Sequence, residues 1–232
     1  SGVATWNPSL IANLANWSKY RSGVATGEWI DASAAENNLA QENESYQPTA
    51  TDPAGGLVFN GSDQWMDFGT SIGITANHNV TVAALVHLSA TNNECLLSDS
   101  NNEFMEFQTN KIIRLKTDTT SPATTTTHTM SGSTWGTGSY IVFTAIRNDG
   151  STGTWNIYKD GVNLDPASWG NETNPGHMDF ANFGSRNDND RFFGGTLYDL
   201  VVYDHGTHTI TAQEILDLNA YLVKKKAWID TL

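Results

Sequence analysis

The sequence predicts an all-β protein, a two-sheet β-sandwich closed by one short C-terminal helix. Short runs rich in Val, Ile, Phe, Tyr and Thr follow one another between Gly-, Asn- and Asp-rich turns. One of them, residues 196–203 (TLYDLVVY), carries large apolar groups on both alternating faces. A strand needs that only where both of its faces are covered. A single segment, beginning at Thr211, joins a helix-start signature to helical spacing.

Residues 1–56 are the least regular. The turn TWNPSL leads into an expected short helical segment over residues 9–14, and Trp17, Tyr20, Trp29 and Ile30 stand as apolar anchors among Gly, Ser and Asn. The stretch is expected to be an arm packed on the body, with Pro48, Pro53, Gly55 and Gly56 in its exit loop. Residues 57–232 are expected to form the main domain, arm and sandwich making one structural unit. Residues 57–69 read as two short strands around a glycine turn. Val80, Val82, Ala84, Val86 and Leu88 alternate onto one face of the next strand. Further strands are expected at 94–98, 104–108, 112–116, 140–147, 154–159 and 180–184, with Asp160-Gly161 as a tight-turn signal. Residues 117–139 and 163–179 are expected to be long loops. In TAQE (211–214) the Thr hydroxyl and the Glu carboxylate form a capping box, and Ile215, Leu218 and Leu222 share one helix face.

Charge and cysteine usage narrow the function. Only 12 Lys and Arg stand against 25 Asp and Glu, a formal charge of −13. Nucleic-acid binding rests on clustered cations, so no nucleic-acid partner is expected. The one basic run, Lys224-Lys225-Lys226, closes the expected helix, where positive charge complements the helix dipole. No apolar run approaches the ~20 residues of a membrane span, so no membrane insertion is expected. Cys95 is the single cysteine, which leaves no disulfide framework.

Five segments in order carry a family resemblance: LVFNGSDQWMDFG (57–69), NVTVAALVHL (79–88), NECLLSD (93–99), YIVFTAIRNDGSTGTWNIYKDGV (140–162) and FFGGTLYDLVVYDHGTHTITAQEILDLNAYL (192–222). The series resembles the laminin-G-like branch of the concanavalin A-like lectin/glucanase jelly rolls. That resemblance implies a two-sheet antiparallel jelly-roll sandwich with one short C-terminal helix. The opening Trp-Asn-Pro-Ser-Leu and the closing Tyr-Leu-Val-Lys-Lys-Lys-Ala-Trp also look like those of jelly-roll proteins encoded by bacteriophages, which decorate a capsid or build a tail.

The fold hosts hydrolases, lyases, lectins and structural parts, so function must come from sites. A retaining glycosidase needs two carboxyl groups ~5 Å apart on one face. Glu103 and Glu106 stand three apart, which sends them to opposite faces of a strand, and Glu42 and Glu44 lie in an Asn/Gln-rich loop. All four are read as solvated carboxylates, and no enzymatic activity is expected. Asp199 and Asp204 also lie an odd number of residues apart, without a partner of the required type.

No cofactor is required. A calcium ion is the one metal considered, held by Asp188 and Asp190 in the oxygen-rich Asn187–Asp190 loop. For carbohydrate, the candidate residues are Trp169, Asn171, Asn174 and His177 in one long loop and Trp135 in another; each Trp could instead plug the sandwich edge. The leading expectation is a non-enzymatic virion structural or decoration protein. It would sit on the virion surface, with other virion proteins or further copies of itself as partners and possible adhesion to cell-surface glycan. The alternative is a dedicated lectin-like carbohydrate-binding module, and a degenerate glycoside hydrolase or lyase is the second alternative.

Overall fold

Two kinds of alternation build the molecule. Strands with one apolar face pair around an inner core, and a few strands with two apolar faces form a central layer. The computed structural model describes residues 6–50, 55–89, 93–101, 103–109, 112–117, 124–129, 134–149, 154–164, 176–187 and 190–231. Within them the strands are, in chain order, β1 (Leu14–Ser18), β2 (Val24–Ala25), β3 (Glu28–Trp29), β4 (Leu39–Ala40), β5 (Thr49–Ala50), β6 (Leu57–Asn60), β7 (Met66–Ile72), β8 (Asn79–Leu88) and β9 (Glu94–Ser100). They continue with β10 (Glu103–Thr109), β11 (Ile112–Thr117), β12 (Thr124–Thr129), β13 (Tyr140–Asp149), β14 (Thr154–Lys159), β15 (Val162–Asn163), β16 (Phe180–Phe183) and β17 (Gly194–Gly206), before the helix α1 (Ala212–Ile229).

All pairing is antiparallel, in two sheets. The first runs β15-β14-β13-β8-β17-β6-β5, with β1 beside the second half of β17. The second runs β12-β11-β10-β9-β16-β7-β4-β3-β2. The chain passes repeatedly from one sheet to the other, so β8 lies between β13 and β17 and not beside β7 or β9. This is the expected jelly-roll sandwich.

The inner core lies between the sheets, where Val80, Val82, Ala84, Val86 and Leu88 of β8 join Met105, Phe107, Phe143, Trp155 and Phe183. A second core lies on the far side of the first sheet. There Ala83 and Leu85 of β8, Val142 of β13, and Tyr198, Val201 and Tyr203 of β17 meet Leu218, Leu222 and Ile229 of α1. The two-faced run of β17 is thus a layer between two cores. Its register shifts between Leu197 and Asp199, which sets Asp199 opposite Leu85, a residue of the helix-side core. Gly195 permits the close approach of β17 to β8. Its φ is +150°, and a Cβ there would stand 2.0 Å from the His87 carbonyl oxygen.

Three segments differ from the sequence reading. The expected helix over 9–14 is a short 3-10 turn, Pro8–Leu10, capped by the Asn7 side chain, and the chain then extends into β1. The expected arm is woven into both sheets: β1 and β5 enter the first, and β2, β3 and β4 edge the second. Two-residue strands are too short to show a period, which hides them in the sequence. The Thr-rich stretch holds β12, paired along β11 from Thr117↔Thr124 to Ile112↔Thr129. Threonine's branched Cβ favours this extended backbone. The helix keeps the capping box of Thr211 and Glu214 but runs on to Ile229.

Candidate functional site

The outer faces of the two sheets differ. Helix α1 covers the first, joined by Ile11, Trp17 and Tyr20 of the N-terminal segment. Over the second, no helix lies among the described residues, and polar and charged side chains gather there.

They are placed by strand register. Arg114 and Lys116 stand two apart on β11, so they share a face, while Ile113 and Leu115 turn into the inner core. On the neighbouring strand Glu106 is opposite Arg114, and Phe104 is opposite Lys116. Arg186 and Arg191 arrive from the turn between β16 and β17. Arg191 adopts φ +52°, an uncommon left-handed conformation for a non-glycine residue. Backbone strain of this kind concentrates at sites where it serves geometry.

The Glu106 carboxylate is fully buried. It accepts hydrogen bonds from Arg191 Nη1 at 2.6 and 2.7 Å. Arg114 Nε lies 2.6 Å from its Oε1. The guanidinium of Arg186 grips the Asp190 carboxylate through Nε (2.8 Å) and Nη2. Phe104 is the apolar floor: Arg114 Cζ lies 4.9 Å from its ring centroid, and Lys116 Nζ and Arg186 Cζ each 5.7 Å. Burial pushes the Arg114 pKa down; Glu106 opposes that shift, and the charges of Arg191 and Arg186 add to it. The hydrogen bond to Asp190 holds the Arg186 pKa up. Cys95, opposite Glu106 in the register, has its thiol pushed well up by burial and then by the Glu106 charge, so it is an inert core thiol.

The sequence reading missed these cations, because each is unremarkable until β10 and β11 are paired. It also took Glu103 and Glu106 for solvated carboxylates. Both are buried, and Glu103 is engaged by Ser100 Oγ (3.3 Å) and the Asp179 amide (3.4 Å). Of the carbohydrate candidates, Trp135 is fully buried against Phe107 and Phe143, with centroids at 5.0 and 5.7 Å. It has no free face for a sugar, which corrects that assignment in favour of a core plug. His177 is exposed, two residues from Asp179, whose pKa is raised by burial and lowered in turn by the His177 charge. Trp169, Asn171 and Asn174 lie outside the described residues, as does Asp188. Asp190 is occupied by Arg186, and among the described residues no three His, Cys, Asp or Glu side chains gather as a metal site.

Two hollows lie elsewhere, between the N-terminal segment and α1. One of about 390 Å³ is lined by Trp6, Asn7, Trp17, Lys19, Tyr221 and Lys225, and one of about 240 Å³ by Trp6, Asp217, Ala220, Tyr221 and Lys224. They are largely apolar, and Lys225 is already committed to Asp199. The arginine face offers many more directed donors.

No protein-family model matches the chain, and no curated protein matches it in sequence. Solved structures do. The binding domain of Paraclostridial Mosquitocidal Protein 1 is 14% identical over 90% of this chain and 52% of that one, with a TM-score of 0.60. Trypanosoma rangeli sialidase in complex with sialic acid is 18% identical over 96% of this chain and 35% of that one, with a TM-score of 0.56. A botulinum neurotoxin type C structure, reported for cell entry dependent upon interaction with two ganglioside molecules, is 12% identical over 90% of this chain and 51% of that one, with a TM-score of 0.52. The chain spans about half the length of the two toxin chains and about a third of the sialidase. At these identities the likeness concerns the fold alone and reaches neither a laminin-G-like branch nor a bacteriophage origin. The shared architecture is a jelly-roll β-sandwich.

Proposed function

We propose that the chain is a lectin-like carbohydrate-binding module without catalytic activity, using the outer face of the nine-stranded sheet. The observation that carries this reading is the convergence of Arg114, Lys116 and Arg186 around Phe104, and of Arg191 on the neighbouring Glu106, on a face that α1 leaves uncovered. Fixed, partly exposed guanidinium donors suit the dense oxygen acceptors of a saccharide. Two similar structures supply support, one in complex with sialic acid and one tied to gangliosides. The carboxylates nearest to a hydrolase pair are committed elsewhere, Glu106 to two arginines and Glu103 to Ser100 and the Asp179 amide.

Such a module meets its ligand on a cell or virion surface. The virion structural role rests on the two chain ends alone, and the neighbours favour the glycan reading. The test is a glycan array probed with the full chain, followed by mass spectrometry of the bound glycans. Selective binding that Arg114→Gln weakens about tenfold, with the glycans intact, is expected. Absence of binding to every glycan, or cleavage of those bound, overturns the reading.

A further inference from the structure

We propose that the ligand of this face is acidic, its carboxylate or sulfate ester gripped by Arg114, Arg186 and Arg191, with Asp190 as an internal competitor that the ligand displaces. The proposal rests on the glycan-binding reading and adds the chemical class of the sugar.

Cations are scarce in this chain, yet four of its 12 Lys and Arg residues converge here. Two carboxylates, Glu106 and Asp190, form ion pairs with the three guanidiniums. The three guanidiniums repel one another across these two carboxylates, a repulsion that an incoming anion relieves. The two carboxylates are not equivalent. Glu106 is fully buried and fixes the directions of Arg114 and Arg191. The Asp190 side chain is 41% exposed and engages the fork of Arg186 through both oxygens. That is the geometry a ligand carboxylate adopts. Arg114 meets Glu106 through Nε, 2.6 Å from its Oε1. The side chains of Arg114, Arg186 and Arg191 remain 18%, 17% and 23% exposed, enough to be reached from solvent.

The experiment is calorimetric titration of the full chain with a sialylated trisaccharide, its desialylated disaccharide and a sulfated disaccharide, at low and high salt. We expect either acidic form to bind at least about tenfold more tightly than the neutral one, the loss of one charge-assisted hydrogen bond being worth that much. Which acidic form binds identifies the source of the anion. High salt and Arg114→Gln each weaken acidic binding about tenfold, and Asp190→Asn tightens it several-fold. Thermal melting of each variant establishes that it is folded. Equal binding of neutral and acidic sugars, or weakening by Asp190→Asn, overturns the proposal while leaving glycan binding intact. If no saccharide binds, the glycan reading fails, and inorganic sulfate decides the anion site. Sulfate-dependent shifts of the Arg114 Nε–H resonance, larger in Asp190→Asn, sustain it; their absence overturns it.

Discussion

Lys225 of α1 reaches back to Asp199, a fully buried carboxylate at the register shift of β17, and forms an ion pair with it. The same carboxylate accepts from Trp17 Nε1 and from the Tyr20 amide, each at 3.1 Å. Lys225 Nζ also lies 4.3 Å from the Tyr221 ring centroid. One buried charge therefore ties the N-terminal segment, the central strand and the helix. Burial pushes the Asp199 pKa up against the opposing charge of Lys225, and pushes the Lys225 pKa down against that of Asp199. Desolvation outweighs attraction on both sides, as is usual for buried pairs. The sequence reading assigned the lysine run to the helix dipole and gave Asp199 no partner; Lys225 instead turns inward.

Lys225→Met strands the Asp199 carboxylate and is expected to cost about 3–5 kcal/mol. Lys225→Met with Asp199→Leu costs less than Lys225→Met alone, because no uncompensated charge remains. Urea denaturation of the four proteins in the cycle measures the coupling. Burial raises the Asp199 pKa, so its carboxylate takes up a proton at higher pH in the native state than in the unfolded chain. The Lys225→Met penalty therefore shrinks as pH falls toward the ordinary carboxylate value of 3.8.

His205 sets an acid limit. Its ring stacks on Tyr203 with centroids 5.3 Å apart, and its Nε2 lies 3.0 Å from Thr81 Oγ1. Burial, helped by His208 and opposed by Glu214 and Asp204, pushes its pKa down from 6.5 to about 4. A depressed folded pKa gives stability that is present above pH 6.5 and is lost as pH falls to about 4. The loss amounts to roughly 3 kcal/mol. His205→Phe retains the stacking and is expected to flatten the stability profile across that window.

Gly195→Ala is expected to destabilise by more than about 2 kcal/mol, since the new methyl group would meet the His87 carbonyl oxygen of the neighbouring strand. Gly206→Ala provides the contrast, with φ +59° but nothing within 4 Å of a Cβ. Its cost is about 1 kcal/mol, from backbone strain alone. Chemical denaturation distinguishes the two.

Thr211→Ala removes the hydroxyl that accepts from the Glu214 amide at 3.2 Å and is expected to cost about 1 kcal/mol. The Glu214 pKa is lowered by hydrogen bonds from the Thr211 amide and hydroxyl. That contribution is present above pH 4.5 and fades as pH falls below it. Thermal melting at pH 7 and pH 3 should therefore show a smaller difference between mutant and wild type at the lower pH.

Legibility followed length and periodicity. The two-faced run around Val201 and Val202 and the capping box at Thr211 are local patterns, and both stand where the sequence placed them. Strands β2 to β5 have two residues each and owe their existence to partners distant in the chain. The arginine face is hidden for the same reason. Arg114 and Glu106 lie on different strands, and only the β10–β11 register makes them neighbours. Trp135 looked like a loop aromatic because its burial is imposed by Phe107 and Phe143 from other strands.

The most direct test of glycan binding at the arginine face is amide and guanidinium NMR of the full chain during titration with a glycan selected on the array. The account predicts shifts centred on Phe104, Glu106, Arg114, Lys116, Arg186 and Arg191. Shifts confined to Trp6, Trp17 and Tyr221 beside α1, or no shifts at saturating glycan, would contradict it.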